Sequence, residues 1–438
     1  MKKRNAFTLI ELLAVIVILA VILVIAIPRI LNVIEESKKD SFKNSAQLIA
    51  DTAEKKKVSD KLLGKDESIT CKDVAKISDE DYKSCIISFD SDGIAKVSIT
   101  GKGKFDGLKI TNGTKENAEV KEITKPTYGM KATEYITNLL EYNGEGLKID
   151  NTPDQNIRYY GSNPDNYVRF NNELWRIIGV FGNNVKLVRS EKLGNLSWDS
   201  SESSVNDGYG INQWGESTYE DGTSYPGSDL MQYLNKMYYG GDTTIKCYIN
   251  RGEWEITCPK DSSGKLLKLN DDAKNLIDYH IWNIGAAKGI EKEDTPTLYN
   301  VERRTKTGKI CSGGNTCNDT VNRTTEWTGY IGLPYATDWA YASENKLCET
   351  EMQKYKSGSG YICSYNNWMT ISGWEWTLTP YIDSSDAYNV WDLETGYVGR
   401  QYACYSGDTF PSIYLKSNVL IESGNGSESN PYMLKLNS

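Results

Sequence analysis

The sequence predicts an α+β protein: a long N-terminal helix, a small antiparallel sheet, and then a larger α+β domain rich in aromatic residues. Three observations carry this prediction. Sixteen apolar residues run without a break from Leu12 to Ile27. Helical spacing gives way near Ile86 to short alternating stretches separated by Asp-, Asn- and Gly-rich turns, the signature of strands in meanders. The composition also changes near residue 125: all eleven Trp lie between Trp175 and Trp391, and Tyr82 is the only Tyr before Tyr128. At 438 residues the chain is long enough for two or three domains.

The first element is the helix. Lys2, Lys3 and Arg4 precede a small residue, Ala6, and then the apolar segment that starts at Phe7 and contains one carboxylate, Glu11. From Phe7 to Ile27 a helix spans roughly 31 Å at about 1.5 Å per residue, close to a bilayer core. A secretory signal peptide would end in a small-residue cleavage site after the apolar run, whereas this run ends in IPRILNVIEES. A plain membrane anchor accounts for the hydrophobicity and the basic flank, but gives no role to Glu11 or to the Ala6–Phe7 junction.

Basic leader, small residue, F-T-x-I-E and apolar helix together resemble the N-terminus of type IV prepilins and pseudopilins. The resemblance implies cleavage by a prepilin peptidase between Ala6 and Phe7, N-methylation of Phe7, and an assembly role for Glu11. A buried carboxylate is tolerable when a cation neutralises it, and the freed amine of Phe7 on a neighbouring subunit is the natural partner. Pro28 falls where such helices carry a proline, which removes an N–H and weakens the helix locally. The family usually carries Gly before the cut; this chain carries Ala6, the mildest replacement. Other pilin subunits and the membrane are the implied partners, with the C-terminal part outside the cytoplasm and the subunit on a surface filament after assembly.

The helix continues past Pro28. Ile30, Ile34, Phe42, Ala46, Ile49 and Ala53 recur at helical steps, interrupted by Lys38, with Glu35, Lys39 and Asp51 between them. The organisation is therefore a leader at 1–6, a transmembrane and amphipathic assembly helix at 7–58, and a small pilin-like β head at 59–125. In that head IISF, the turn DSDG, IAKVSITG and GLKITNG read as strands. Asp-x-Asp-Gly here marks a hairpin turn, because the rest of a twelve-residue calcium loop is missing.

Lys125-Pro126 opens the domain at 126–438. A helix around Ala132–Glu141 leads into YVRF-NN-ELWRIIGVF-GNN-VKLVRS, three alternating strands. A second helix follows at SDLMQYLNKMYY, with Ser228 as N-cap and Leu230, Tyr233, Leu234 and Met237 on one face. A third is expected from about Asp271 to Trp282. WTGYIGLPYATDWAYAS, WEWTLTPY, AYNVWDLETGYVG and IYLKSNVLI then read as strand-like. LPYAT at 333–337 is not a sortase signal, since Ala336 stands where Thr is required. YVRFNNELWRIIGVF, WTLTP and the closing IYLKSNVLIESGNGSESNPY resemble an uncharacterised domain of large Gram-positive surface proteins, similar in layout to C-type-lectin-like and formylglycine-generating-enzyme-like folds. The calcium-dependent sugar motifs E-P-N, Q-P-D and W-N-D are absent.

Nine Cys occur with no C-x-x-C, and four local pairs present themselves: Cys71 with Cys85, Cys247 with Cys258, Cys311 with Cys317, and Cys348 with Cys363, leaving Cys404. Beyond a membrane anchor such spacing points to extracytoplasmic disulfides; zinc is the alternative, disfavoured by sparse spacing and a single His. That residue, His280, removes His-based triads and is expected as a packed structural side chain on a helix. No catalytic residues, metal ligands or cofactor motif emerge, so no enzyme is predicted. Residues 126–438 carry 28 Lys+Arg against 40 Asp+Glu, which argues against a nucleic-acid partner. Most of the Trp and Tyr are expected in the core, with a binding site for an unidentified surface ligand on Tyr-, Asn- and Ser-bearing loops. The leading reading is a pilin-like subunit, minor or at the tip, displaying an adhesion domain. A pseudopilin of a secretion or competence apparatus and a membrane-anchored surface enzyme are the alternatives.

Overall fold

The computed structural model describes residues 9–437 except 65–68, 76–79, 143, 201–209, 219–221, 223, 251–253, 286–293, 304–324, 353–354, 357–359, 371–372 and 382–387; side chains at 9–11, 19, 21–26, 28, 217–218, 355–356 and 360 are also outside the description. The chain divides into two compact units, Met1–Lys125 and Pro126–Ser438, and the division falls where the composition changes.

The first unit is built on one helix, α1 (Leu9–Leu62). A short helix α2 (Cys71–Val74) precedes strands β1 (Tyr82–Phe89), β2 (Ala95–Gly101), β3 (Leu108–Gly113) and β4 (Lys121–Glu122), which form an antiparallel sheet in that order. β2 alternates buried and half-buried along its whole length, and its inner residues Ala95, Val97 and Ile99 meet Phe42, Ala46, Ile49, Ala50 and Ala53 of α1. Three alanines on the helix leave room for close helix–sheet approach, and Phe42 fills the wider end against Phe105 at 5.2 Å between ring centres. The hairpin turn predicted at DSDG is present: Asp90 Oδ1 accepts from the N–H groups of Asp92 and Ile94, and Gly93 takes φ +79°. The apolar stripe is buried only from Phe42 onward. Ile30 and Ile34, expected on the same stripe, are more than half exposed because the head packs only against the later turns. Lys38 does not break the packing; its ammonium donates to the Asp106 carbonyl oxygen at 2.7 Å.

In the second unit helix α3 (Ala132–Tyr142) comes first, then β5 (Leu147–Ile149), β6 (Ile157–Tyr159), β7 (Tyr167–Phe170), β8 (Glu173–Phe181) and β9 (Asn184–Arg189). β7–β8–β9 is the predicted meander; Asn171 and Asn172 both take positive φ, +55° and +60°, as a two-residue type I′ turn requires. These strands are the centre of a nine-stranded sheet closed on one side by Ser412–Tyr414 and Ile331–Gly332. On the other side the parallel strand Tyr432–Leu436 and its hairpin partner Val419–Ser423 complete it. A five-stranded sheet runs Gly194–Ser197, Ser406–Thr409, Trp374–Pro380, Asn389–Glu394, Tyr397–Tyr402. Trp175, Trp198, Trp214, Trp282, Trp339 and Trp376 are among the largest fully buried side chains, so aromatic residues do form much of this core.

The helix at SDLMQYLNKMYY is present as Asp229–Gln232 continuing in a wider π-turn over Tyr233–Tyr239, and Ser228 Oγ accepts from the N–H of Met231 as its cap. The third predicted helix is shorter than expected. It runs Asp271–Leu276 and stops where Ile277 turns extended and Asp278 donates its N–H to the Tyr414 carbonyl oxygen. His280 therefore lies on a strand, His280–Asn283, and not on a helix. Within WTGYIGLPYATDWAYAS, Ala336–Ala342 is a buried helix capped by Asp338, not a strand.

Candidate functional site

Of the N-terminal residues singled out by the sequence, Ala6 and Phe7 lie outside the described residues. Glu11 is in the first turn of α1, and Pro28 lies in its interior with helical backbone on both sides. Among the described residues no helix is long and apolar enough to cross a membrane, and much of the predicted span has no described side chains. What is described there is apolar and open: Leu12, Leu13, Val15, Ile16, Val17, Ile18, Ile27, Leu31 and Val33 are all exposed.

Three of the four expected cystine pairs are disulfides: Cys71–Cys85, Cys247–Cys258 and Cys348–Cys363, closing separations of 14, 11 and 15 residues. Cys311 and Cys317 lie outside the described residues. Cys404 is a buried thiol outside these three bonds. Cys71–Cys85 ties α2 to β1 in the first unit, and the other two staple loops in the second.

The second unit holds a charged cluster that the sequence did not reveal. Asp338, fully buried at the start of its helix, accepts from Arg158 through Oδ1 at 2.6 Å, and from Lys186 Nζ at 2.6 Å and the Tyr335 N–H at 3.0 Å through Oδ2. Arg158 also reaches Asp150 at 2.8 Å. Burial alone would raise the Asp338 carboxyl, but Lys186 and Arg158 outweigh it and hold it at about 2. Burial pulls the Lys186 ammonium down to about 8, against the pull of Asp338. Glu302, also buried, accepts from Thr337 and Thr379 and pairs with Arg303 at 3.2 Å. Opposite charges so closely matched fix the sheet-to-helix geometry; they leave Asp338 no basicity for proton transfer.

A cavity of about 240 Å³ opens elsewhere in the same unit. Arg176 from β8, Ser190 just after β9, Tyr167 from β7, Trp368, Glu375 from the Trp374–Pro380 strand, and Phe410 line it. The Arg176 guanidinium lies between the Tyr167 and Trp368 rings, 4.2 and 4.6 Å from their centres. Its Nε donates to Asn166 Oδ1 at 2.8 Å, and Nη2 donates to Asn163 Oδ1 and to the Pro164 carbonyl oxygen. Trp368 is itself fixed by a 3.0 Å bond from Nε1 to the Tyr159 carbonyl oxygen. Glu375 is 3% exposed and, among the described residues, its carboxylate has no hydrogen bond or ion pair. Ser190 Oγ is buried without a hydrogen-bond partner among the described residues. These residues come from well-separated segments, which is why spacing could not group them. One signal existed: in WEWTLTP a single acidic residue stands between two Trp in a strand with no other charge.

His280 has its ring stacked on Tyr414 at 3.8 Å, with Nδ1 3.0 Å from Asp278 Oδ2. Burial, only partly offset by Asp278, lowers its pKa and favours the neutral ring.

No curated protein and no solved structure matches this chain. Residues 1–27 match the family described as the prokaryotic N-terminal methylation motif. That motif overlaps the start of a helix that carries a small antiparallel head, so the N-terminal segment is similar to those of type IV pilin-like proteins whose leaders a prepilin peptidase removes.

Proposed function

We propose that the chain is a filament subunit, cut by a prepilin peptidase between Ala6 and Phe7, methylated at Phe7, and assembled with sister subunits through residues 7–58. The observation that carries this is the methylation motif at residues 1–27, continuous with α1. The apolar side chains described at Leu12–Ile18 and from Ile27 to Ile34 are exposed and support it, since a helix of this kind needs lipid before assembly and other helices after it. Glu11 is then the carboxylate that meets the Phe7 amine of a neighbour. The second unit, residues 126–438, is the part displayed outside the cell, and its bulk favours a minor or tip position over a repeated shaft subunit.

Recognition rather than catalysis is the role this reading gives the second unit. The single His is a half-buried ring stacked on Tyr414, and the Asp338 cluster is closed in on itself.

Intact mass and N-terminal sequencing of the protein from its native membrane test the proposal. A mature chain that begins at methylated Phe7 is expected. A chain still beginning at Met1 would refute processing, and with it assembly through a freed amine.

A further inference from the structure

The cavity lined by Trp368 and Glu375 holds a buried guanidinium and a buried carboxyl, neither of them in an ion pair among the described residues. Arg176 has three hydrogen bonds, all to neutral oxygens, and is in no ion pair among the described residues; its Nη1 makes no hydrogen bond there. Arg189, the other cation lining the cavity, is already taken by Glu173 at 2.8 Å. Glu375 is paired with no cation among the described residues, and the charge acting on it is another acid, Asp408, itself bound by Lys192 and Asn195. Burial pushes the Glu375 carboxyl well above the usual range. Glu191 and Glu428 also line the cavity and are exposed; Glu428 attracts Arg176 through space, but burial outweighs that attraction and no hydrogen bond joins the two.

Leaving a buried polar group unpaired is costly, and native proteins do so where a ligand completes the set. Here an anion would satisfy Arg176, a cation would satisfy Glu375, and Ser190 Oγ offers a further hydrogen bond. Leu174, Val188, Met369 and Phe410 supply apolar lining to the same cavity. A volume of about 240 Å³ is below the range of drug-sized pockets and suits a molecule of a dozen or so heavy atoms at most. We infer that this cavity binds a small zwitterion with an apolar side chain, of the free α-amino acid class. Its carboxylate lies on Arg176, its ammonium on Glu375, and its side chain against the apolar lining. The rings flanking Arg176 hold the guanidinium in place before the ligand arrives, which lowers the ordering cost of binding. The inference concerns the second unit alone and stands whether or not the filament reading does.

The test uses the full chain in detergent micelles. Thermal unfolding is followed by Trp emission with each common L-amino acid at about 10 mM, where a ligand of millimolar or better affinity raises the midpoint measurably. One or more apolar amino acids are expected to do so. Titration calorimetry then compares the best of them with its amide, which lacks the carboxylate, with its N-acetyl form, which lacks the ammonium, and with glucose. Loss of either charge is expected to weaken binding at least about tenfold, and glucose to give no heat. Glu375→Gln, nearly isosteric, is expected to weaken the amino acid about tenfold and to leave the N-acetyl form unchanged. No midpoint shift with any amino acid would overturn the inference. So would equal binding of the amide and N-acetyl forms, or binding of glucose alone. The ligand comparisons decide the matter even if the variant fails to fold.

Discussion

Asp392 provides a direct test of how the second unit tolerates buried charge. It lies mid-strand in Asn389–Glu394, is fully buried, and among the described residues neither carboxylate oxygen has a partner from another residue. Burial first, and then Glu394 two residues on, raise its pKa to about 8. In the unfolded chain the same carboxyl titrates near 3.9. The folded form therefore keeps a proton that the unfolded form has released. Its contribution to stability is fully present below about pH 4, is lost progressively as pH rises, and is gone above about pH 8. Each pH unit within that window is worth at most about 1.4 kcal/mol, so at pH 7 the site costs up to about 4 kcal/mol relative to pH 4. Asp392→Asn keeps the volume and removes the titration. Its predicted effect is little change at pH 4 and a gain of about 2–4 kcal/mol at pH 7, the lower figure allowing for the amide's own unmet hydrogen bonds. Because all eleven Trp lie in the second unit, urea unfolding followed by Trp emission at several pH values reports that unit alone. Some slope will remain, since burial also raises Asp199 and Glu375. Wild-type and variant curves that stay parallel from pH 4 to pH 8 would refute the reasoning.

Two further predictions concern the scaffold. Asp338→Ala strands Arg158 and Lys186 without their shared carboxylate and is expected to cost about 3–5 kcal/mol in the same Trp-monitored unfolding, part of which Lys186→Met should restore. Replacing Cys71 and Cys85 by Ser opens a loop of 14 residues and should cost about 3 kcal/mol. That loss belongs to the first unit, so limited proteolysis of the head should report it while Trp emission stays unchanged.

How much of this was visible in the sequence depends on how local each feature is. The β7–β9 meander was legible because Asn171-Asn172 fixes the turn and the alternation fixes the faces. Ser228 announced its helix by the cap it forms. Three cystine pairs were legible because each closes a short separation. His280 was misplaced because the helical pattern after Asp271 continues on paper through Trp282, whereas the chain is captured at Asp278 by Tyr414, more than a hundred residues away. The Ala336–Ala342 helix escaped detection because every one of its residues is buried, Thr337 and Asp338 included, and a fully buried helix shows no amphipathic period. The exposed Ile30 and Ile34 show the reverse limit: periodicity marks a face that wants covering, not what covers it. The Asp338 cluster and the cavity were out of reach, since their members meet only through the sheet.

The start and finish of the second unit are stitched together. Gly129 donates its N–H to the Ile421 carbonyl oxygen, Ile421 donates back to Met130, and Lys131 bridges Leu420. Val419–Ser423 in turn pairs with Tyr432–Leu436, which lies alongside β7. A pull applied at Pro126 thus travels first into the final hairpin of the chain and only then into β7 and β8, the strands that carry Tyr167 and Arg176. The last twenty residues act mechanically as a buckle. A truncation that removes them would take away both the clasp on Gly129–Lys131 and the parallel neighbour of β7.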